Sequence, residues 1–224
     1  LKVDFATYCC EKDIDKLYDN LSDHLDSHNY NFDSVHIIHQ RVLPKGLLKA
    51  EYKSHYIRKE RYDDILKSYN INPINKEADE YTHGWDHSHY WRHHCVNHLV
   101  ALRQSSADYI VLSDADCHMV NNKTNWIKEG IEILKGDINV LVVSPNDGSK
   151  GGYTQTMSQQ VFLCERARLA AIDFDLPFEG FREGGPMQEY YFMLEGRIGR
   201  YMEKNHFFRC VMNKHFRYWH KQWH

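Results

Sequence analysis

Asp108-Tyr109-Ile110-Val111-Leu112-Ser113-Asp114-Ala115-Asp116-Cys117 is the stretch whose reading decides the fold. Residues 109–112 are apolar without alternation, which suits a central parallel strand buried on both faces. The run then stops at two carboxylates one residue apart. Ligands of open α/β sheets bind outside the carboxyl ends of the strands. Two acids at such a tip repel each other unless a cation lies beside them. Mg²⁺ or Mn²⁺, carrying phosphate oxygens, prefers oxygen ligands and needs few protein groups. The same residues could also build a helix N-cap or a solvated turn; the apolar run leading into them favours the metal reading.

Working outward, the neighbouring segments alternate strand and helix. Val3–Tyr8 reads as a strand, and Ile14, Leu17, Tyr18, Leu21 and Leu25 recur at helical spacing. Val35, Ile37 and Ile38 form a second short strand, so the first forty residues make a parallel βαβ unit. Tyr52 to Tyr69 suggests helical pieces, and Asn70 to Asn75, with Pro73, reads as a loop. Trp91–Arg103 and Asn125–Leu134 have helical spacing, and Val140–Ser144 is another buried strand. Gln160–Leu163 reads as a strand and Arg166–Ile172 as a short helix. Residues 176–187 form a loop, and a helix begins at Gln188. Gly196–Met202 and Phe207–Met212 read as late strands. This alternation predicts an α/β fold with a mostly parallel central sheet flanked by helices.

The chain has 224 residues, 28 Lys plus Arg against 31 Asp plus Glu, and 16 histidines. That length supports one full core, with roughly 70% of the unfolded surface buried. Hydrophobic residues at 42% and charged residues at 26% exclude disordered and collagen-like classes. The near-neutral balance offers no footprint for nucleic acid. No apolar run approaches the roughly 18 residues of a spanning helix. No secretory signal is visible, and the opening Leu1 suits a piece trimmed from something longer. These features imply a cytoplasm-facing domain. Peripheral membrane contact and a Golgi-lumenal origin stay open, and sequons at Asn20 and Asn122 do not settle the compartment. The six cysteines show no C-x-x-C pair and read as buried reduced thiols.

Three stretches resemble the nucleotide-sugar glycosyltransferases of the GT-A fold, in particular the family-2-like enzymes. DFATYCCEKDIDKLYDNLSDHL looks like their first strand, nucleotide-binding turn and first helix. NHLVALRQSSADYIVLSDADC looks like the helix, strand and DxD signature, and NWIKEGIEILKGDINVLVVSP like the helix and strand that follow. Together they span about half the chain in the expected order. The resemblance implies a single domain over 1–224, with a nucleotide-binding half (1–120) and an acceptor and catalytic half (121–224).

The resemblance also implies residue roles. Thr7, Tyr8 and Glu11 match the turn that holds uracil and ribose; Asp114 matches the acid nearer the ribose, and Asp116 the one bound to metal. Where the family often has an acid after the second strand, this chain has His39-Gln40-Arg41, and Gln40 could hydrogen-bond a base edge. Asn97, with His93, would face the donor. In Gly184-Gly185-Pro186-Met187-Gln188-Glu189 the family's acidic pair has become Gln188-Glu189. Glu189 is thus the candidate general base of an inverting transfer, with Glu183 and Asp147 in reserve. His215 would complete a Mn²⁺ or Mg²⁺ site, with His220 as the alternative. Lys214, Arg217 and Lys221 are candidates for the diphosphate. The implied partners are a nucleotide-sugar donor, UDP-linked, and a glycan or other hydroxyl acceptor.

Two other readings compete. Sugar nucleotidyltransferases share an α/β core, but they carry a Gly-rich loop after the first strand, where this chain has TYCCEKD. A non-catalytic carbohydrate- or metal-binding module would make the histidine-dense segment 81–98 the functional feature. His83/His87, His89/His93 and His94/His98 are each spaced to face together on a helix.

Overall fold

The computed structural model describes residues 1–10, 14–42, 50–51, 71–74, 92–120, 123, 125–148, 150–172 and 194–220. The helical pieces expected over Tyr52–Tyr69, the 176–187 loop and the helix start at Gln188 lie outside these residues. So do Glu11, Glu183 and Glu189.

The opening βαβ unit forms as the pattern predicts. Strand β1 (Val3–Cys10) leads into helix α1 (Ile14–Ser27), which returns to strand β2 (Ser34–Val42), paired parallel to β1. Two strands follow, β3 (Ala50–Glu51), antiparallel to β2, and β4 (Ile71–Ile74), parallel to it. The 70–75 stretch read as a loop is therefore a strand in part. A proline is tolerated there because, among the described residues, β4 pairs with β2 alone, at the periphery of the sheet.

Helix α2 (Arg92–Gln104) precedes β5 (Tyr109–Asp114), the DYIVLSD strand. Next come β6 (Cys117–Met119), helix α3 (Trp126–Gly136) and β7 (Val140–Ser144). The Asn125 side chain caps α3 by accepting from the Lys128 N–H at 3.0 Å. The chain continues through β8 (Gly152–Thr154), β9 (Val161–Glu165), helix α4 (Arg166–Ala170) and helix α5 (Leu194–Asn205). It ends with β10 (Phe208–Val211), a 3₁₀ turn at Lys214–Phe216 and β11 (Tyr218–His220).

Residues 196–202 thus form a helix, not a strand. Leu194, Ile198 and Met202 are buried at helical spacing, while Gly196 and Gly199 lower the local helix propensity that a sequence reading relies on.

The main sheet runs β3-β2-β1-β5-β9-β7-β10-β8, with β4 against β2. Strands β1, β2, β4, β5, β7 and β10 point one way, and β3, β8 and β9 oppose them. β5 is parallel only to β1; its other neighbour, β9, is antiparallel. An unbroken apolar run signals burial on both faces, not the direction of the neighbours. One face packs Phe5, Leu17, Leu21, Trp126, Ile131 and Leu163 under α1 and α3. The other packs Ile38, Leu99, Leu102, Ile110, Phe162 and Ile198 under α2, α4 and α5. Among the described residues, no helix is long and apolar enough to cross a membrane.

Candidate active site

From β1 the chain moves outward to β2, and β5 returns on the other side of β1. The carboxyl ends of β1 and β5 therefore form a topological switch point, where α/β sheets open a ligand crevice. Tyr8 and Asp114 are register partners there. The Tyr8 hydroxyl donates to Asp114 Oδ1 at 2.5 Å, and the Asp114 N–H is anchored on the Gln160 carbonyl at 2.7 Å.

Beyond Asp114 the chain turns into β6, which pairs antiparallel with β11 and sets His220 opposite Cys117. His220 Nε2 lies 3.2 Å from Asp116 Oδ1. Asp114, Asp116, Cys117 and His220 each offer a ligand atom, all within 4.8 Å of one another. Two carboxylates and an imidazole fit Mn²⁺ or Mg²⁺, and the imidazole tilts the set toward Mn²⁺. Cys117 is buried, and burial with the two nearby acids pushes its thiol far up, so it stays protonated.

The electrostatics agree with a cation site. Asp114 is pushed up to about 8, first by burial, against the opposing hydrogen bond from Tyr8, and then by the charges of Asp116 and Glu195. The Tyr8 hydroxyl is raised well above its ordinary value by burial and by Asp114's charge. A cation among these groups would offset the repulsion.

The structure brings together Tyr8, Asp114 and Asp116, as the sequence reading expects. Thr7 is different: strand alternation turns it away from Tyr8, and its side chain is buried at 1% exposure. It therefore forms part of the wall behind the site. His215 is exposed in the 3₁₀ turn, its N–H bonded to Asn213 Oδ1, and the histidine beside Asp116 is His220. The β6–β11 register decides this. Asp147, a reserve base, is paired with Arg209 at 3.0 Å and so is committed to the structure. Gln40 lies on β2 and Asn97 on α2.

Glu195 escaped the sequence reading. It stands in the first turn of α5, accepts from the Gln159 N–H at 3.3 Å, and is raised by burial. Its charge reaches Asp114. The signal was the helical spacing of Leu194, Ile198 and Met202. Gln160 was also missed. Its side-chain oxygen accepts from the Tyr218 hydroxyl at 2.6 Å, tying β11 to the turn before β9.

No family model and no curated protein matches this sequence. Solved structures do match the fold. S. aureus TarS 1–349 in complex with UDP-GlcNAc aligns with TM-score 0.57 at 12% identity, over 100% of this chain and 59% of that one. The mannosyltransferase PcManGT from Pyrobaculum calidifontis, in complex with GDP-Man and Mn²⁺, aligns with TM-score 0.52 at 10% identity, over 96% and 55%. The galactosyltransferase LgtC, with donor and acceptor sugar analogs, aligns with TM-score 0.50 at 11% identity, over 94% and 73%. Against TarS 1–349 without a named ligand the chain spans 60% of that chain's length. The architecture is that of the GT-A fold.

Proposed function

We propose that this chain is a metal-dependent glycosyltransferase that moves a sugar from a nucleoside-diphosphate sugar, UDP-linked, to an acceptor hydroxyl with inversion, in glycan or polysaccharide synthesis. The observation that carries the reading is the convergence of Asp114, Asp116 and His220 at the switch point of a GT-A sheet. Nucleotide sugars bound to TarS and PcManGT support it by analogy.

In this reading residues 1–120 bind the nucleotide and 121–224 carry acceptor and catalysis. Tyr8, Glu11, Gln40 and Asn97 hold the base and ribose side of the donor, and Thr7 backs them from the wall. Tyr8 keeps Asp114 aimed into the crevice, and the β6–β11 pairing brings His220 beside Asp116. A Mn²⁺ or Mg²⁺ ion on Asp114, Asp116 and His220 would supply Lewis-acid stabilisation of the departing nucleotide's charge. Glu189 takes the acceptor hydroxyl's proton as its oxygen attacks the anomeric carbon.

The test is a screen of UDP- and GDP-sugars for nucleotide release and transfer, with and without Mn²⁺. Mn²⁺-dependent release is expected with at least one donor, and Glu189→Gln should keep donor binding while stopping transfer. Release of pyrophosphate from a nucleoside triphosphate would point to a nucleotidyltransferase. Undiminished transfer by Glu189→Gln would remove that residue from the mechanism.

A further inference from the structure

Behind the site, on the α1 face of the sheet, two histidines are wholly buried: His24 in the last turn of α1 and His28 just past its end. Their rings are 5.4 Å apart, packed with Phe5, His118 and Trp126. Neither is explained by ordinary core packing, because each carries a ring nitrogen with no hydrogen-bond partner among the described residues: His24 Nδ1 and His28 Nε2. Buried polar atoms left unmatched are uncommon.

The tautomers follow from the partners. The Trp126 indole N–H can only donate, and it donates to His28 Nδ1 at 3.1 Å. His28 Nδ1 therefore carries the lone pair, and the hydrogen of the neutral ring sits on Nε2. On His24, Nε2 lies 3.1 Å from the Ser113 hydroxyl, which gives its own hydrogen to the Asp114 carbonyl at 3.1 Å. Ser113 must then accept from His24 Nε2–H, with the Cys117 carbonyl as a second acceptor nearby. That leaves His24 Nδ1 a bare acceptor. One unmatched donor and one unmatched acceptor stand on neighbouring rings.

We infer that a single buried water joins His28 Nε2–H to His24 Nδ1. The result is one polarised chain from Trp126 through His28, the water, His24 and Ser113 to the Asp114 carbonyl, and it makes His24 a positioning residue for the carboxylate tip. A buried water needs at least two polar partners, and this pair supplies them. The chain runs along the face opposite the Asp114 side chain and fixes the peptide from which Asp114 and Asp116 project. The inference rests on reading that tip as the metal and donor site.

Two measurements test it. Nitrogen-15 spectra of histidine side chains at neutral pH should show His24 and His28 both as Nε2–H tautomers, with a slowly exchanging His28 proton at an ordinary hydrogen-bonded shift. An Nδ1–H tautomer for His24, or a His28 proton moved upfield by the Phe5 ring, would overturn the chain. The second measurement is the Mn²⁺ requirement of donor turnover. His24→Gln, which can still donate to Ser113, should stay near wild type. His24→Leu should need roughly tenfold more Mn²⁺, as is usual when support behind a metal ligand is removed. Equal responses of the two variants would reduce His24 to a space-filling role. If the wild type responds to neither Mn²⁺ nor Mg²⁺, the metal-dependent reading of the tip fails, while the tautomers still decide the hydrogen-bond chain. If His24→Leu does not fold, the spectra of the wild type decide alone.

Discussion

Acidification should destabilise this protein through His28 by an amount that can be isolated. Burial, with the nearby His118, lowers His28 from 6.5 to about 3. Between those values the unfolded chain binds a proton that the folded chain refuses. Stability is therefore complete above 6.5 and falls as pH drops toward 3. Each pH unit in that window costs ~1.4 kcal/mol. At pH 4.5 the loss is about 2.7 kcal/mol, a large share of a typical stability of roughly 5–15 kcal/mol. His24 is shifted in the same direction by burial. Asp114 works oppositely, because its raised value lets the folded form hold a proton that the unfolded chain releases. Total stability is thus a poor readout, and the difference from a matched variant is the right one. His28→Asn keeps an acceptor near the Nδ1 position for Trp126 but cannot titrate. Urea unfolding of both proteins, followed by tryptophan fluorescence from pH 7.5 to 4.5, gives that difference. The wild type should lead at pH 7.5, and its advantage should shrink by about 2–3 kcal/mol at pH 4.5. A gap that stays constant across the range would refute the assignment of His28 as a buried neutral imidazole.

Other outcomes follow from the same packing. Tyr8→Phe removes the 2.5 Å bond to Asp114. A hydrogen bond to a charged group contributes about 1.5–3 kcal/mol, so the Mn²⁺ concentration for half-maximal donor turnover should rise by roughly an order of magnitude, as a metal titration of the rate will reveal. Gly130→Ala would put a Cβ 2.7 Å from Leu163 Cδ2 and 3.4 Å from Val143 Cγ1. It should lower stability by about 1–3 kcal/mol through overpacking. Gly136→Ala meets nothing within 4 Å on the same helix, and thermal melts should find it neutral or stabilising by up to ~1 kcal/mol.

The elements that place the site were legible because burial on two faces and helical periodicity leave strong patterns. β1, α1, β2, β5, α3, β7 and β10 all stand where those patterns put them. Asp114 and Asp116 were legible for the same reason: an apolar run that ends in acids marks a strand tip. Strands β6, β8 and β11, three residues each, are too short to show a period. The histidine beside Asp116 depended on one of them. Choosing His220 over His215 needs the pairing of His220 with Cys117, which no local pattern encodes. Thr7, read as part of the donor turn, is buried at 1% exposure because alternation within β1 makes it and Tyr8 face opposite sides. Glu195 was hidden by two glycines that made a helix resemble a strand.

The central claim is that Asp114 and Asp116 hold a divalent ion through which a nucleotide diphosphate binds. The most direct measurement is calorimetric titration of UDP into the wild type and Asp116→Ala, each with Mn²⁺ and with a chelator. UDP should bind the wild type only when Mn²⁺ is present and should not bind Asp116→Ala in either condition. Equal UDP affinity with the chelator, or in the variant, would contradict the account.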